Sequence, residues 1–186
     1  MNFQFSNRIN DRGFTLIEVI VVVAVMGFLS ASILSSQKSS SARRQLGLDV
    51  QRAVQDLRNA QNLALSSQVS VDCSGKVVPY GIVFNTALSD RYLLVADCNQ
   101  NNAYDSGDAI VQTVFFPESR INSLQAEGVG VGSLQIFFTP PLPAVFVNGV
   151  VPVSVVPATS ATLCHFKQTA LCKTISISSK GAISTQ

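Results

Sequence analysis

An α+β fold, with a long N-terminal helix covering an antiparallel β-rich head, is what this sequence predicts, and three observations predict it. Residues 14–34 are an almost continuous apolar run. Val50, Ala53, Val54, Leu57, Ala60 and Ala64 then recur at the spacing of one helix face. Beyond Ser67 the period shortens to that of strands: VSVDC, YGIVFN, RYLLVAD, AIVQTVFF, SLQIFF, AVFVNG, VPVSVV and KTISISS, separated by turn residues. The chain has 186 residues, 47% of them apolar, enough for one ordinary head plus a short membrane element and too few for two large domains. A net charge of +2 provides no nucleic-acid footprint.

As a helix, residues 14–34 would extend about 31 Å, the thickness of a hydrocarbon core. Eleven strongly apolar side chains, from Val19 to Leu34, outweigh the single acid, Glu18, whose cost is about 3 kcal/mol at mid-membrane and less near an end. Arg8 and Arg12 precede the run and favour a cytoplasmic N-terminus, a bias weakened by Lys38, Arg43 and Arg44 on the far side. A secretory signal peptide fits less well, because the run exceeds the usual apolar length and carries an acid. An intramembrane carboxylate calls for a positive partner at the same depth. Cleavage between Gly13 and Phe14 would create one, the α-amino group of Phe14, four residues before Glu18 and on the same helix face.

Residues 35–45 are polar, and the amphipathic pattern predicts a helix from about residue 46 to 67 whose apolar face covers its own head. With no proline between residues 14 and 78, the two helical parts can join. Ile175 and Ile177 alternate with Ser176 and Ser178, which predicts a sheet with one covered face. Four cysteines, Cys73, Cys98, Cys164 and Cys172, allow three pairings. In an oxidising compartment the short spacing makes Cys164 with Cys172 the simplest staple, leaving Cys73 with Cys98.

The hexapeptide Gly13-Phe14-Thr15-Leu16-Ile17-Glu18 and its apolar sequel resemble the class III signal of type IV prepilins and type II secretion pseudopilins. The resemblance implies a type IV pilin-like fold with four parts: a leader peptide (1–13), a transmembrane half-helix (14–34), a polar linker with the amphipathic half-helix (35–67) and a β-rich head (68–186). It also implies cleavage by a prepilin peptidase after Gly13, N-methylation of Phe14, and an assembly role for Glu18, which pairs with a neighbour's N-terminus. DLRNAQNLALSSQVSVDC (56–73) and DCNQNNAYDSGDAIV (97–111) resemble the FimT, FimU and GspH group of minor pilins and pseudopilins. Some FimT-like members bind DNA through a Gly-Arg-x-Arg element; here the matching residues are Gly181-Ala182-Ile183-Ser184, without arginine, so nucleic acid is not expected to bind directly. The implied partners are other pilin or pseudopilin subunits, the peptidase, an inner-membrane assembly platform and membrane lipid. The implied location is a single-pass inner-membrane subunit with a periplasmic head, later part of a surface pilus or a periplasmic pseudopilus.

Asp97, Asn99, Asn101 and Asp108 stand at positions one, three, five and twelve of a calcium-loop spacing, although position six is Asn102 and not glycine. A hairpin rich in Asn and Asp explains the same residues without metal. The single His165 has no evident acid or nucleophile partner and reads as a surface or loop-packing histidine. No cofactor site and no catalytic arrangement is expected, and the function expected is structural: a minor pilin, or alternatively a GspH-like pseudopilin. An exported ligand- or metal-binding domain on an uncleaved anchor is the reading from a different class.

Overall fold

The computed structural model describes residues 14–140, 144–151 and 159–186, of which 32–39 by their backbone alone. The chain divides into two units, one ending at Ser40 and one spanning Ser41–Gln186. Helix α1, Leu16–Leu65, passes through both without a break in its secondary structure. It stops in a Schellman cap: Gln68 N–H donates to the Leu63 carbonyl at 3.1 Å and Ser67 N–H to Ala64 at 3.1 Å, with Ser67 left-handed at φ 49°. The helix therefore ends by capping, two residues from the predicted limit, with no proline to stop it.

Among the described residues the second unit has twelve strands. In chain order they begin with β1 Val69–Ser70, β2 Lys76–Val77, β3 Tyr80–Asn85, β4 Arg91–Ala96, β5 Ala109–Phe115 and β6 Ser119–Ala126. They continue with β7 Val129–Gly130, β8 Ser133–Thr139, β9 Ala144–Val147, β10 Thr159–His165, β11 Gln168–Ile177 and β12 Ile183–Thr185. Two antiparallel sheets of five strands result, ordered β5-β4-β3-β8-β9 and β12-β11-β10-β6-β7, plus the β1-β2 ribbon. An N-terminal helix packed on an antiparallel head is the α+β arrangement the sequence predicts.

One core unites the helix with both sheets. Ala42, Leu46, Val50, Ala53, Leu57, Ala60 and Ala64 are all buried, at the three- and four-residue spacing of a single helix face, and from Leu46 on they join one cluster with Tyr80, Phe84, Tyr92, Ile136, Phe138 and Leu163. Two carboxylates beside that face are satisfied by hydroxyls from the head. Ser119 Oγ donates to Asp49 at 2.6 Å, and Tyr92 OH donates to Asp56 at 2.6 Å. Burial and the Asp56 bond together push the Tyr92 phenol far above its ordinary range.

Burial also raises the Asp49 carboxyl above its ordinary 3.8, against bonds from Ser119 and Gln45 and the charge of Arg52, while Glu118 raises it further. An acid whose pKa is higher folded than unfolded holds its proton more tightly in the native state. Its contribution is therefore best below pH 3.8 and is lost as pH rises from there through the folded value. Asn at this position keeps an acceptor for Ser119 and removes the charge. Melting temperatures of Asp49→Asn against the parent should accordingly diverge in the variant's favour between pH 3.5 and 7; a constant difference would remove Asp49 from the pH dependence.

The expected single covered face holds for β11, where Ile175 and Ile177 are buried and Ser176 and Ser178 half-buried. It fails for the other sheet. Val83, Val95 and Phe137 form a second cluster on its outer face, covered by Tyr104 of the 97–108 loop and by Phe146. Consequently β3 is buried on both faces along Tyr80–Phe84. Two strands that the period-two reading missed, β6 and β10, lie beside each other with a bulge between Thr162 and Leu163. The predicted VPVSVV strand falls almost wholly on residues 152–158, outside the described residues.

Cys73 is bonded to Cys98 and Cys164 to Cys172, closing separations of 25 and 8 residues. On loop-closure grounds the first contributes about 3.5 kcal/mol and the second about 2.5 kcal/mol. Cys98 roots the loop that covers the outer sheet face. Replacing both Cys73 and Cys98 by Ser should lower stability by about 3 kcal/mol and speed amide exchange first in residues 97–108; equal exchange throughout the head would contradict that local role.

Candidate functional site

The site predicted from sequence lies at the start of α1. Thr15 is the N-cap: its Oγ1 accepts from Glu18 N–H at 3.3 Å, and its carbonyl accepts from Glu18 and Val19 at 3.1 and 3.3 Å. Thr15 and Glu18 thus occupy the Ser/Thr-x-x-Glu positions of a capping box. The sequence carries that signature openly, but attention to the charge alone passes over Thr15. Gly13 lies outside the described residues, and Phe14 is the first described residue, 82% exposed.

Among the described residues the Glu18 carboxylate has no hydrogen bond or ion pair. It sits in a shallow groove of about 290 Å³ whose other lining residues, Phe14, Val19, Val22 and Val23, are all apolar. Phe14 and Glu18 share that groove because four residues are about one helical turn. Around it Leu16, Ile17, Ile20, Val21, Val25, Met26, Phe28 and Leu29 are exposed by roughly half or more of their surface. So continuous an apolar surface is a binding surface, since soluble chains rarely leave such patches uncovered. Ser30 turns its hydroxyl back onto the Met26 carbonyl at 2.7 Å, which spares a polar group from an apolar medium.

Among the described residues no helix is long and apolar enough to cross a membrane. Of the predicted 14–34 span, the side chains to residue 31 lie among the described ones and those of 32–34 outside them.

The 97–108 loop brings Asp97, Asn99, Asn101 and Asp108 together, but every side-chain oxygen of the four accepts an N–H. Asp97 takes those of Asn101 and Asn102, Asn99 that of Asn101, Asn101 that of Ala103, and Asp108 those of Cys98 and Asp105. These are the Asx turns of a hairpin in which Asn102, at φ 61°, takes the left-handed place of glycine. Asp105, absent from the predicted ligand set, accepts from Gly107 N–H at 2.7 Å and from the Asn99 and Asn101 side chains at 2.8 and 2.9 Å, and the Gly107 bond, helped by the other two, lowers its carboxyl below the ordinary value. Burial raises Asp97. Among the described residues no three acidic, Cys or His side chains are placed to share a metal ion.

His165 is buried, and it does have an acid beside it. Its Nδ1 accepts Lys167 N–H at 3.2 Å, so the ring proton is on Nε2 and is donated to Glu118 at 3.2 Å. Phe166 stacks on the ring at 5.8 Å. The pair joins β10 to the start of β6, and no nucleophile is bonded to it among the described residues.

Residues 8–34 match the family described as a prokaryotic N-terminal methylation motif, which spans Gly13, Phe14 and Glu18. No curated protein and no solved structure matches the chain.

Proposed function

We propose that the chain is a minor subunit of a type IV pilus, cut after Gly13, methylated on Phe14, held in the inner membrane by residues 14–34 and then drawn into a filament. It works by assembly and not by catalysis. The observation that carries this reading is the Glu18 carboxylate, without a partner among the described residues, on an exposed apolar helix inside a methylation motif. A neighbouring chain's terminal ammonium supplies the missing charge. Because an unpaired carboxylate in lipid is unfavourable, only the register that pairs it is selected. The oxidised head supports an exported location, where disulfides persist.

Mass analysis of the N-terminal peptide tests the reading: a chain starting at Phe14 with one added methyl is expected. An intact Met1, or a start near residue 32, would refute it. Processing is the same in a GspH-like pseudopilin, and deletion separates the two. Loss of surface filaments marks a pilus; exported enzymes trapped in the periplasm mark secretion.

A further inference from the structure

The sheet β12-β11-β10-β6-β7 ends at β12, and the register shows which backbone groups of that edge are unused. Gln186 and Thr174 exchange both backbone bonds, at 2.9 and 3.0 Å, and Ser178 N–H donates to Ala182 at 2.9 Å. Residues 182, 184 and 186 therefore face β11. By alternation, the N–H and C=O groups of Ile183 and Thr185 point away from the sheet, and they have no partner among the described residues.

These groups do not face open solvent on a flat edge. They border a groove of about 420 Å³ walled on the other side by α1, with Gln51, Gln55 and Arg58 along the rim and Val54 at its base. Gln51, Gln55 and Arg58 follow helical spacing, one stripe over from the buried face, so the helix lines the groove opposite β12 with polar side chains. Arg58 is exposed and has no ion pair among the described residues. Among the described residues no acid lines the groove: Asp56 is bonded to Tyr92 and Asp49 to Ser119, on the other flank of the helix. A second cation borders the same wall, since Lys173 Nζ lies 4.0 Å from where a Cβ on Gly47 would sit, one turn before Gln51. The β5 edge, AIVQTVF, carries no charged side chain of its own, and the one cation over it among the described residues, Arg91 on the Phe115 ring, is already paired with Asp90.

We propose that this groove is a binding site for an extended acidic peptide segment of a partner protein, added to β12 as a sixth strand. Main-chain bonds to Ile183 and Thr185 hold the segment, and its carboxylates meet Arg58 and Lys173. Docking there needs neither the membrane nor the Glu18 pairing.

The test uses the full chain in detergent micelles and two labelled peptides, acetyl-Val-Glu-Val-Glu-Val-amide and its lysine counterpart, followed by fluorescence anisotropy. The glutamate peptide should bind at least about threefold more tightly than the lysine peptide, the scale of an exposed ion pair, and Arg58→Glu should reverse the order. Thr185→Pro removes an outward donor and leaves the bonds to β11, as proline is tolerated on an edge. It should weaken glutamate-peptide binding up to about tenfold. Amide exchange at Ile183 and Thr185 should slow on peptide addition while Ser184 is unchanged, a readout that stands even if the proline variant is unstable. Equal binding of the two peptides, no binding at millimolar concentration, or unslowed exchange at Ile183 and Thr185 would overturn the assignment.

Discussion

Glu18→Gln should leave cleavage after Gly13 intact and reduce incorporation into filaments by about ten- to a hundredfold, read as the ratio of Phe14-starting chain in sheared filaments to that in membranes. The size follows from leaving a terminal ammonium unpaired at membrane depth, about 1.5–3 kcal/mol near a helix end. Glutamine is the informative replacement because Glu18 has two possible uses. As the third helical residue after the Thr15 cap it stands at the capping-box position, which glutamine suits as well as glutamate does. Charge pairing, by contrast, is lost entirely. Undiminished incorporation of the glutamine variant would leave Glu18 no role beyond its helix-start position and remove the basis for register selection. Glu18→Asp, with the charge drawn back by one methylene, should fall between the two.

The second large effect is expected at Gly81. It lies in β3 opposite Phe137 of β8 and Val95 of β4. A Cβ added there would stand 2.5 Å from the Ile136 carbonyl oxygen and 2.6 Å from the Phe137 ring. The oxygen belongs to the backbone of a paired strand and cannot swing aside, so relief requires moving β8 against β3 or displacing the ring that fills the outer cluster. Gly81→Ala should cost about 3 kcal/mol, a fall of roughly 6–12 °C in Tm for a head of this size. Gly130→Ala in β7 is the control, with nothing within 4 Å of the added carbon and hence less than about 0.5 kcal/mol expected. Similar melting temperatures for the two variants would mean that β8 yields easily.

What could be read beforehand depended on how locally each feature is encoded. The helix face from Val50 to Ala64 is a property of consecutive residues, and all six predicted positions are buried. The two disulfides follow from spacing and count once an oxidising compartment is assumed. The strands β6 and β10 were not legible because Ser119, Thr159 and Ser160 are buried polar residues, and a bulge shifts the register in the middle of their pairing. Burial of β3 on both faces depends on a loop arriving from residues 97–108, so no window around Tyr80–Asn85 contains it. The same is true of Glu118 beside His165, 47 positions apart. At the N-terminal site the charge stands out in the sequence, whereas the cap depends on Thr15, three residues before Glu18, taking a non-helical conformation.

The two hydroxyl bonds from the head to Asp49 and Asp56 carry a mechanical consequence. The carboxylates are seven residues apart on α1, so the clips lie about two turns, roughly 10 Å, from each other along the helix axis. An apolar helix face can creep along its bed by trading one side chain for the next, whereas a carboxylate seated on a particular hydroxyl cannot. Tension applied along the axis loads both clips side by side in shear, so they give way together and not in succession. A subunit hauled out of a membrane by its helix would thereby bring its head along without slippage.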